Sequence, residues 1–216
     1  VSLLVYAVLE APERAPRIRG LRLLFVQGLV VAVRSARRAP VPSARVLRRH
    51  DEVVRALAQA APAVVPVRFG TLLADAAALE QALRPRLPRL RAALALVRGR
   101  VQMTLRVWQP RGDAPPPAPA AEGPGAGRRY LRARAAWWRG ADVPGLRPLL
   151  DAVRPFAAAE RIERHVTPPL TASIYHLVDR RQAAAYRRAL KGQRSRLRLR
   201  LSGPWPPYAF APEVAG

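Results

Sequence analysis

Residues 170–201 read LTASIYHLVDRRQAAAYRRALKGQRSRLRLRL, and their order decides the fold class. Leu170 to Val178 is a strand by its short apolar run. Asp179 then caps a helix, and Gln182 three positions on completes a capping-box-like pattern. Tyr186 and Leu190 give that helix its buried side, and Gly192 ends it. From Arg196 to Leu201 the chain alternates. Leu197, Leu199 and Leu201 face one way, and Arg196, Arg198 and Arg200 face the other. A strand, a helix and a strand in this order are compatible with half of a ferredoxin-like α+β sandwich.

Upstream, Leu3 to Leu9 is a compact apolar run that predicts a central strand. Pro12 to Gly20 reads as a loop. Leu21–Val26 and Leu29–Val33 flank Gln27-Gly28, where a glycine supplies the positive φ of a tight hairpin. Ser43 is an N-cap for a helix that places Val46, His50, Val53 and Leu57 on one face. Ala63 to Phe69 reads as a strand in which Pro66 requires an edge or a bulge. The longest periodic signal runs from Leu72 through Ala76, Leu79, Leu83, Leu87, Leu90 and Leu94 to Val97. Pro85 and Pro88 predict a kink or two helices in tandem. Gly99 stops it. Arg100 to Trp108 alternates strictly, so one face is expected packed and the other wet.

Residues 110–127 lack periodic apolar positions and are rich in Pro, Ala and Gly, which reads as a linker or long loop. A helix over Arg128–Arg139 is expected to put Leu131, Ala135 and Trp138 on one face, with Trp137 beside them. A second begins near Pro144 and carries Leu146, Leu149, Leu150 and Val153, and Pro155 ends or bends it. The prolines of Ser202–Phe210 exclude a regular helix or a central strand there, and Trp205, Tyr208 and Phe210 require an apolar seat. The expected organisation is α+β with two small domains. Residues 1–108 form an N-terminal α/β domain with a mixed sheet and two main helices. Residues 109–127 are the linker, and residues 128–216 are a ferredoxin-like domain with an extended aromatic tail.

The 216 residues are half apolar, which excludes wholesale disorder. With no cysteine, disulfides, thiolate chemistry and cysteine-based zinc sites are excluded. No apolar run reaches the roughly 18 residues of a membrane helix. Val1-Ser2-Leu3 carries no basic leader, so the expected location is the cytoplasm. Thirty-eight basic against fourteen acidic residues give a net charge of +24, and Lys191 is the sole lysine. Arg, Ala, Pro and Gly are together favoured by GC-rich coding, which accounts for arginines at tolerant surface sites. A basic ferredoxin-like nucleic-acid-binding protein is the alternative reading. Against it, the arginine strand carries no interleaved aromatic for base stacking. Binding to DNA or RNA is therefore expected to be sequence-independent and to fall steeply with salt.

Catalytic signatures are missing. His50 reads as a structural histidine beside Asp51, and His165 and His176 form no helical metal-binding pair. Neither a Gly-x-Ser-x-Gly nor a Walker motif is present. Glu160 and Glu163 read as surface groups one helical turn apart, paired with neighbouring arginines. The expectation is no enzyme, no cofactor and no metal.

Two stretches are more specific. Val64-Val65-Pro66-Val67-Arg68-Phe69-Gly70-Thr71 leads through the long helix to Arg100–Trp108. Leu201-Ser202-Gly203-Pro204-Trp205-Pro206-Pro207-Tyr208-Ala209-Phe210 ends the fold. With Val5-Tyr6-Ala7-Val8 and Leu177-Val178-Asp179-Arg180, they resemble the gas vesicle protein F/L family (GvpF/GvpL) in the right order over nearly the whole chain. The resemblance implies a two-domain α+β protein with a non-enzymatic part in building gas vesicles, as an assembly factor or minor structural component. It implies as partners the small apolar main shell protein and other vesicle accessory proteins, and as location the cytoplasm and the gas vesicle. Neither specific nucleic acid nor membrane insertion is expected. Trp205, Tyr208 and Phe210, with Arg196, Arg198 and Arg200, are candidates for a partner contact or a domain clamp. Pro66, Arg68, Phe69 and Gly70 form a motif with a structural reading, Gly70 turning the chain and Phe69 filling the core.

Overall fold

The structure is a computed structural model that describes residues 1–14, 16–108, 125–138 (side chains only to 132), 145–165, 170–193, 195 and 197–214. It divides into two compact units, one of Val1–Val101 with Trp205–Gly216 and one of Gln102–Pro204. The expected bounds of 1–108 and 128–216 differ from this division at both ends. The strand at 100–108 belongs to the second unit's sheet, and the last residues return to the first unit.

The first unit is built on β1 (Ser2–Leu9), β2 (Leu21–Val26), β3 (Leu29–Ala36), β4 (Val64–Pro66) and β5 (Leu72–Leu73). The sheet order is β2-β3-β1-β4, and β5 also pairs with β1. β1 is buried from Leu3 to Leu9, as a strand covered on both faces must be. Gln27 and Gly28, both at positive φ, make the tight turn between β2 and β3. Every pairing of β1 with β3, β4 and β5, and of β2 with β3, is antiparallel, so the expected mixed sheet is corrected. The reason is topological. The helix α1 (Ala44–Ala60) carries the chain back so that β4 runs parallel to β3, but β1 lies between them. Pro66 pairs opposite Ala7 in an edge strand, where its missing N–H breaks no ladder.

Ser43 caps α1, its hydroxyl accepting from the Val46 N–H at 3.3 Å. Val53, Val54 and Leu57 of α1 bury against Leu4, Tyr6, Leu9, Val30 and Ala32 of the sheet. Each such side chain contributes roughly 1.5–3 kcal/mol when fully buried. The long helical pattern resolves into α2 (Ala76–Leu83), a 3₁₀ turn over Arg84–Arg86, and α3 (Leu87–Val97). The break contains Pro85, which cannot continue the hydrogen-bond ladder of a single helix, and Pro88 falls in the first turn of α3, where a proline is tolerated. Leu72 is not helical, contrary to its place in the periodic pattern. It pairs with Leu4, and the helix starts only where the Asp75 carboxylate accepts from the Ala78 N–H.

The second unit contains β6 (Arg100–Trp108), α4 (Ala126–Trp138), α5 (Arg147–Val153), β7 (Ala157–Arg164), β8 (Leu170–Asp179), α6 (Ala183–Lys191) and β9 (Arg198–Trp205). Its four-stranded sheet has the order β7-β8-β6-β9, with β7 and β8 antiparallel. β6 is interior to the sheet, and Gln102 and Thr104 on its expected wet face are buried as well, the Gln102 amide donating to the Thr104 hydroxyl at 3.0 Å. Leu131 of α4 is exposed rather than packed. The segment around Glu160 and Glu163 is a strand, not a helix, because pairing with β8 overrides its weak local preference. The expected 109–127 linker lies outside the described residues up to residue 124, and α4 takes its last two. The side chains of Ala135, Trp137 and Trp138 lie outside them too.

Candidate functional site

The two motif regions meet in the first unit. Arg68 to Thr71 is a turn in which the Thr71 N–H and hydroxyl both donate to the Arg68 carbonyl, at 3.2 and 2.8 Å. Gly70 sits there at φ +83°, a backbone conformation that costs a side chain dearly. Phe69 is thereby turned edge-on to the His50 ring, with centroids 5.3 Å apart, and His50 stacks on Tyr6 at 4.9 Å. From the other end of the chain, Pro206 and Pro207 are buried, and Tyr208–Phe210 forms one 3₁₀ turn. The Tyr208 hydroxyl donates to Asp51 of α1 at 2.9 Å. Asp51 also takes the Arg55 guanidinium at 2.6 Å, and Arg55 lies 4.1 Å from the centre of the Trp205 ring. Phe210 is half-buried. One face of α1 is thus laced to the tail by a hydrogen bond and a cation–π contact, and the ion pair within the helix holds Asp51 and Arg55 in place for both.

Between these parts lies a groove of about 470 Å³. Leu47, Phe69, Tyr208, Ala211 and Pro212 give it apolar walls, and Asp51, Arg68 and Glu213 stand around it. Leu47 is 45 % exposed and Tyr208 37 %, more than their apolar surface warrants in a closed core. Such an opening accepts an apolar side chain or a short segment of another molecule.

Residues 2–212 match the family described as "Gas vesicle synthesis protein GvpL/GvpF". This chain belongs to that family. Its fold is similar to the crystal structure of gas vesicle protein GvpF from Microcystis aeruginosa, with 16 % identity, TM-score 0.71, and 98 % of this chain and 99 % of that one covered. It is also similar to GvpF from Anabaena sp. PCC7120, at 16 % identity and TM-score 0.70, with 98 % of each chain covered. No match is found among curated proteins. No helix among the described residues is long and apolar enough to cross a membrane.

In this GvpL/GvpF chain the candidate contact residues are divided between the two units. Trp205, Tyr208 and Phe210 belong to the first unit with Pro66, Arg68, Phe69 and Gly70. Arg198 and Arg200 lie exposed on β9 of the second unit, Arg198 5.9 Å from the Trp108 ring centre. Arg196 lies outside the described residues. Asp51 and Arg55, the tail's actual partners, were not singled out from sequence. Their i,i+4 spacing on a helix was the available signal.

The second unit holds the other organised polar group. His176 of β8 is 1 % exposed, and its Nε2 lies 2.7 Å from Glu160 and its Nδ1 2.7 Å from the Tyr186 hydroxyl. In the tautomer with Nε2–H donating to the carboxylate, Nδ1 accepts the hydrogen bond from the phenol O–H. The hydrogen bond from His176 holds the Glu160 carboxyl below its ordinary pKa. Glu160 therefore has a buried partner across the sheet besides the nearby charge of Arg154, and Glu163 has the expected surface arginine partner in Arg161 at 3.2 Å. His165 contacts the Ser173 hydroxyl at 2.9 Å, and the Tyr175 hydroxyl donates to Glu163 at 3.0 Å.

His50 supplies a pH prediction. Burial pushes its pKa below the ordinary 6.5, with Asp51 and the Val67 backbone pulling weakly the other way. The folded chain resists a proton that the unfolded chain accepts. This contribution to stability is complete above pH 6.5 and is lost as pH falls through the depressed folded value. Thermal unfolding from pH 8 to 5 is expected to show a decline that His50→Phe flattens. An equal decline in the variant rejects the assignment.

Proposed function

We propose that this chain is a non-enzymatic gas vesicle assembly factor that binds the small apolar shell protein during vesicle formation. Family membership supports the setting and favours it over the nucleic-acid reading. The observation that carries the reading is the apolar groove between the Arg68–Thr71 turn, α1 and the tail. A subunit meant to face gas exposes an aggregation-prone apolar surface until it joins the wall. A groove that covers part of that surface, on a strongly charged carrier, keeps such a subunit dispersed. The proposed location is the cytoplasm, with delivery to the growing vesicle. Exposed Arg198 and Arg200 attract acidic groups on a partner and hasten encounter.

We also read the second unit as ferredoxin-like. The succession β6-helices-β7-β8-α6-β9 and the spatial order β7-β8-β6-β9 support this.

Co-expression tests the functional proposal. With the chain present, the shell protein is expected to move from the pellet to the soluble fraction and to co-purify with it. Leu47→Glu, at an exposed groove position, is expected to weaken that capture at least about tenfold, since a charge placed in an apolar contact is left desolvated. No measurable affinity of the intact chain for the shell protein or any other vesicle protein would sink the assembly reading.

A further inference from the structure

We propose that the first unit carries a phosphate-binding pocket, separate from the groove, where the loop before β2, β3 and α1 converge. The cavity has a volume of about 210 Å³ and brings together Arg19 from the loop, Arg34 from β3, and Arg49 and Glu52 from α1. Ile18 and Val53 give it an apolar floor.

Arg34 is the organising residue. One of its terminal nitrogens donates to the Arg19 carbonyl at 2.8 Å, and its guanidinium lies 5.9 Å from the centre of the Tyr6 ring. These contacts fix the side chain before any ligand arrives. Its Nε is buried and has no hydrogen-bond partner among the described residues. With no accessible surface, Nε meets no ligand directly, and the guanidinium acts on the cavity through its charge. Gly20, at φ +75°, brings the loop over this group, and a Cβ there would stand 3.6 Å from Nε.

The charge balance selects the ligand class. Three guanidinium groups and one carboxylate leave a net +2 around the cavity. A phosphate monoester carries about −1.5 to −2 at pH 7 and offers three acceptor oxygens. Guanidinium forks match that geometry in pairs. Glu52 makes no ion pair with these arginines within 4.0 Å, so their donors are not spent on it. The volume is below the roughly 300–1,000 Å³ of pockets for drug-sized ligands, so the cavity seats the phosphate and only a few further atoms.

Titration calorimetry of the full chain with inorganic phosphate, at ionic strength held constant with chloride, tests the proposal. Saturable one-site binding is expected. Arg34→Gln and Arg49→Gln should each weaken it at least about tenfold, the effect of losing one charge-assisted hydrogen bond. Arg89→Gln, which removes the same charge from an exposed site on α3, should leave it within about twofold, as expected of a screened distant charge. Arg49 is exposed, so its variant remains informative if Arg34→Gln fails to fold. Glycerol 3-phosphate and vesicles containing phosphatidic acid then distinguish a soluble ester from a lipid headgroup as the source. Tighter binding of either supports the site. Equal losses in all three variants, or no binding beyond that of chloride, would overturn it.

Discussion

Tyr186→Ala is expected to destabilise the second unit by about 3–5 kcal/mol, the range for truncating a large buried ring. Tyr186 is fully buried on α6, and its hydroxyl is the partner of His176 Nδ1. The variant opens a cavity and also leaves the imidazole nitrogen unsatisfied in the core. Tyr186→Phe separates the two effects. It keeps the ring and is expected to cost about 1–3 kcal/mol, the penalty for a buried polar atom without its partner. Burial first, and the Glu160 charge second, push the phenol above its ordinary pKa of 10.0. The group therefore stabilises fully below pH 10, and this contribution is lost as pH rises beyond that. Urea unfolding at pH 8 and at pH 10.5 checks both statements. A Tyr186→Phe variant as stable as the parent, with the same alkaline slope, would refute the hydrogen-bonded pin.

The double variant Trp205→Ala/Tyr208→Ala is expected to lower stability by about 2–4 kcal/mol. It removes a hydrogen bond to a carboxylate, worth about 1.5–3 kcal/mol when made, and a cation–π contact of about 0.5–1 kcal/mol. Partial burial of two rings adds to this, discounted because Tyr208 is 37 % exposed. Arg55 loses its aromatic cover and Asp51 one of its two partners. The melting temperature and shell-protein capture should be read on the same samples. A large fall in melting temperature, with capture retained by the folded fraction, assigns the tail to holding α1. Loss of capture with the melting temperature unchanged assigns it to the partner instead.

The difference between the sequence reading and the structure follows the range of the interactions. Period-two and helical patterns in β1, β6, α1 and α6 report contacts that each segment makes along one face, so they are visible locally. Ser43 and Asp179 are capping residues for the same reason, since their partners lie two or three positions away. β7 left no such trace. Its residues AAAERIER are held as a strand by β8, and nothing in the segment itself favours extension. The two buried polar positions of β6 could not be read either, because alternation shows which residues are polar and not whether their face is covered.

The chain's sequence by itself determined its family, its α+β class, the hairpin at Gln27-Gly28, the break between α2 and α3, and the need of the tail aromatics for a seat. Each of these depends on backbone chemistry or on motifs contiguous in sequence. Only the tertiary structure decided where that seat is. It brought Tyr208 to Asp51, 157 positions away, set Trp205 under Arg55, and placed both beside the Arg68–Thr71 turn. It likewise joined Glu160, His176 and Tyr186, and gathered Arg19, Arg34 and Arg49 out of a surface full of arginines. Charge and aromatic character are properties of single residues. Which of them meet is set by strand order and helix packing, where the free energy of closing long loops is offset by burial of the shared core.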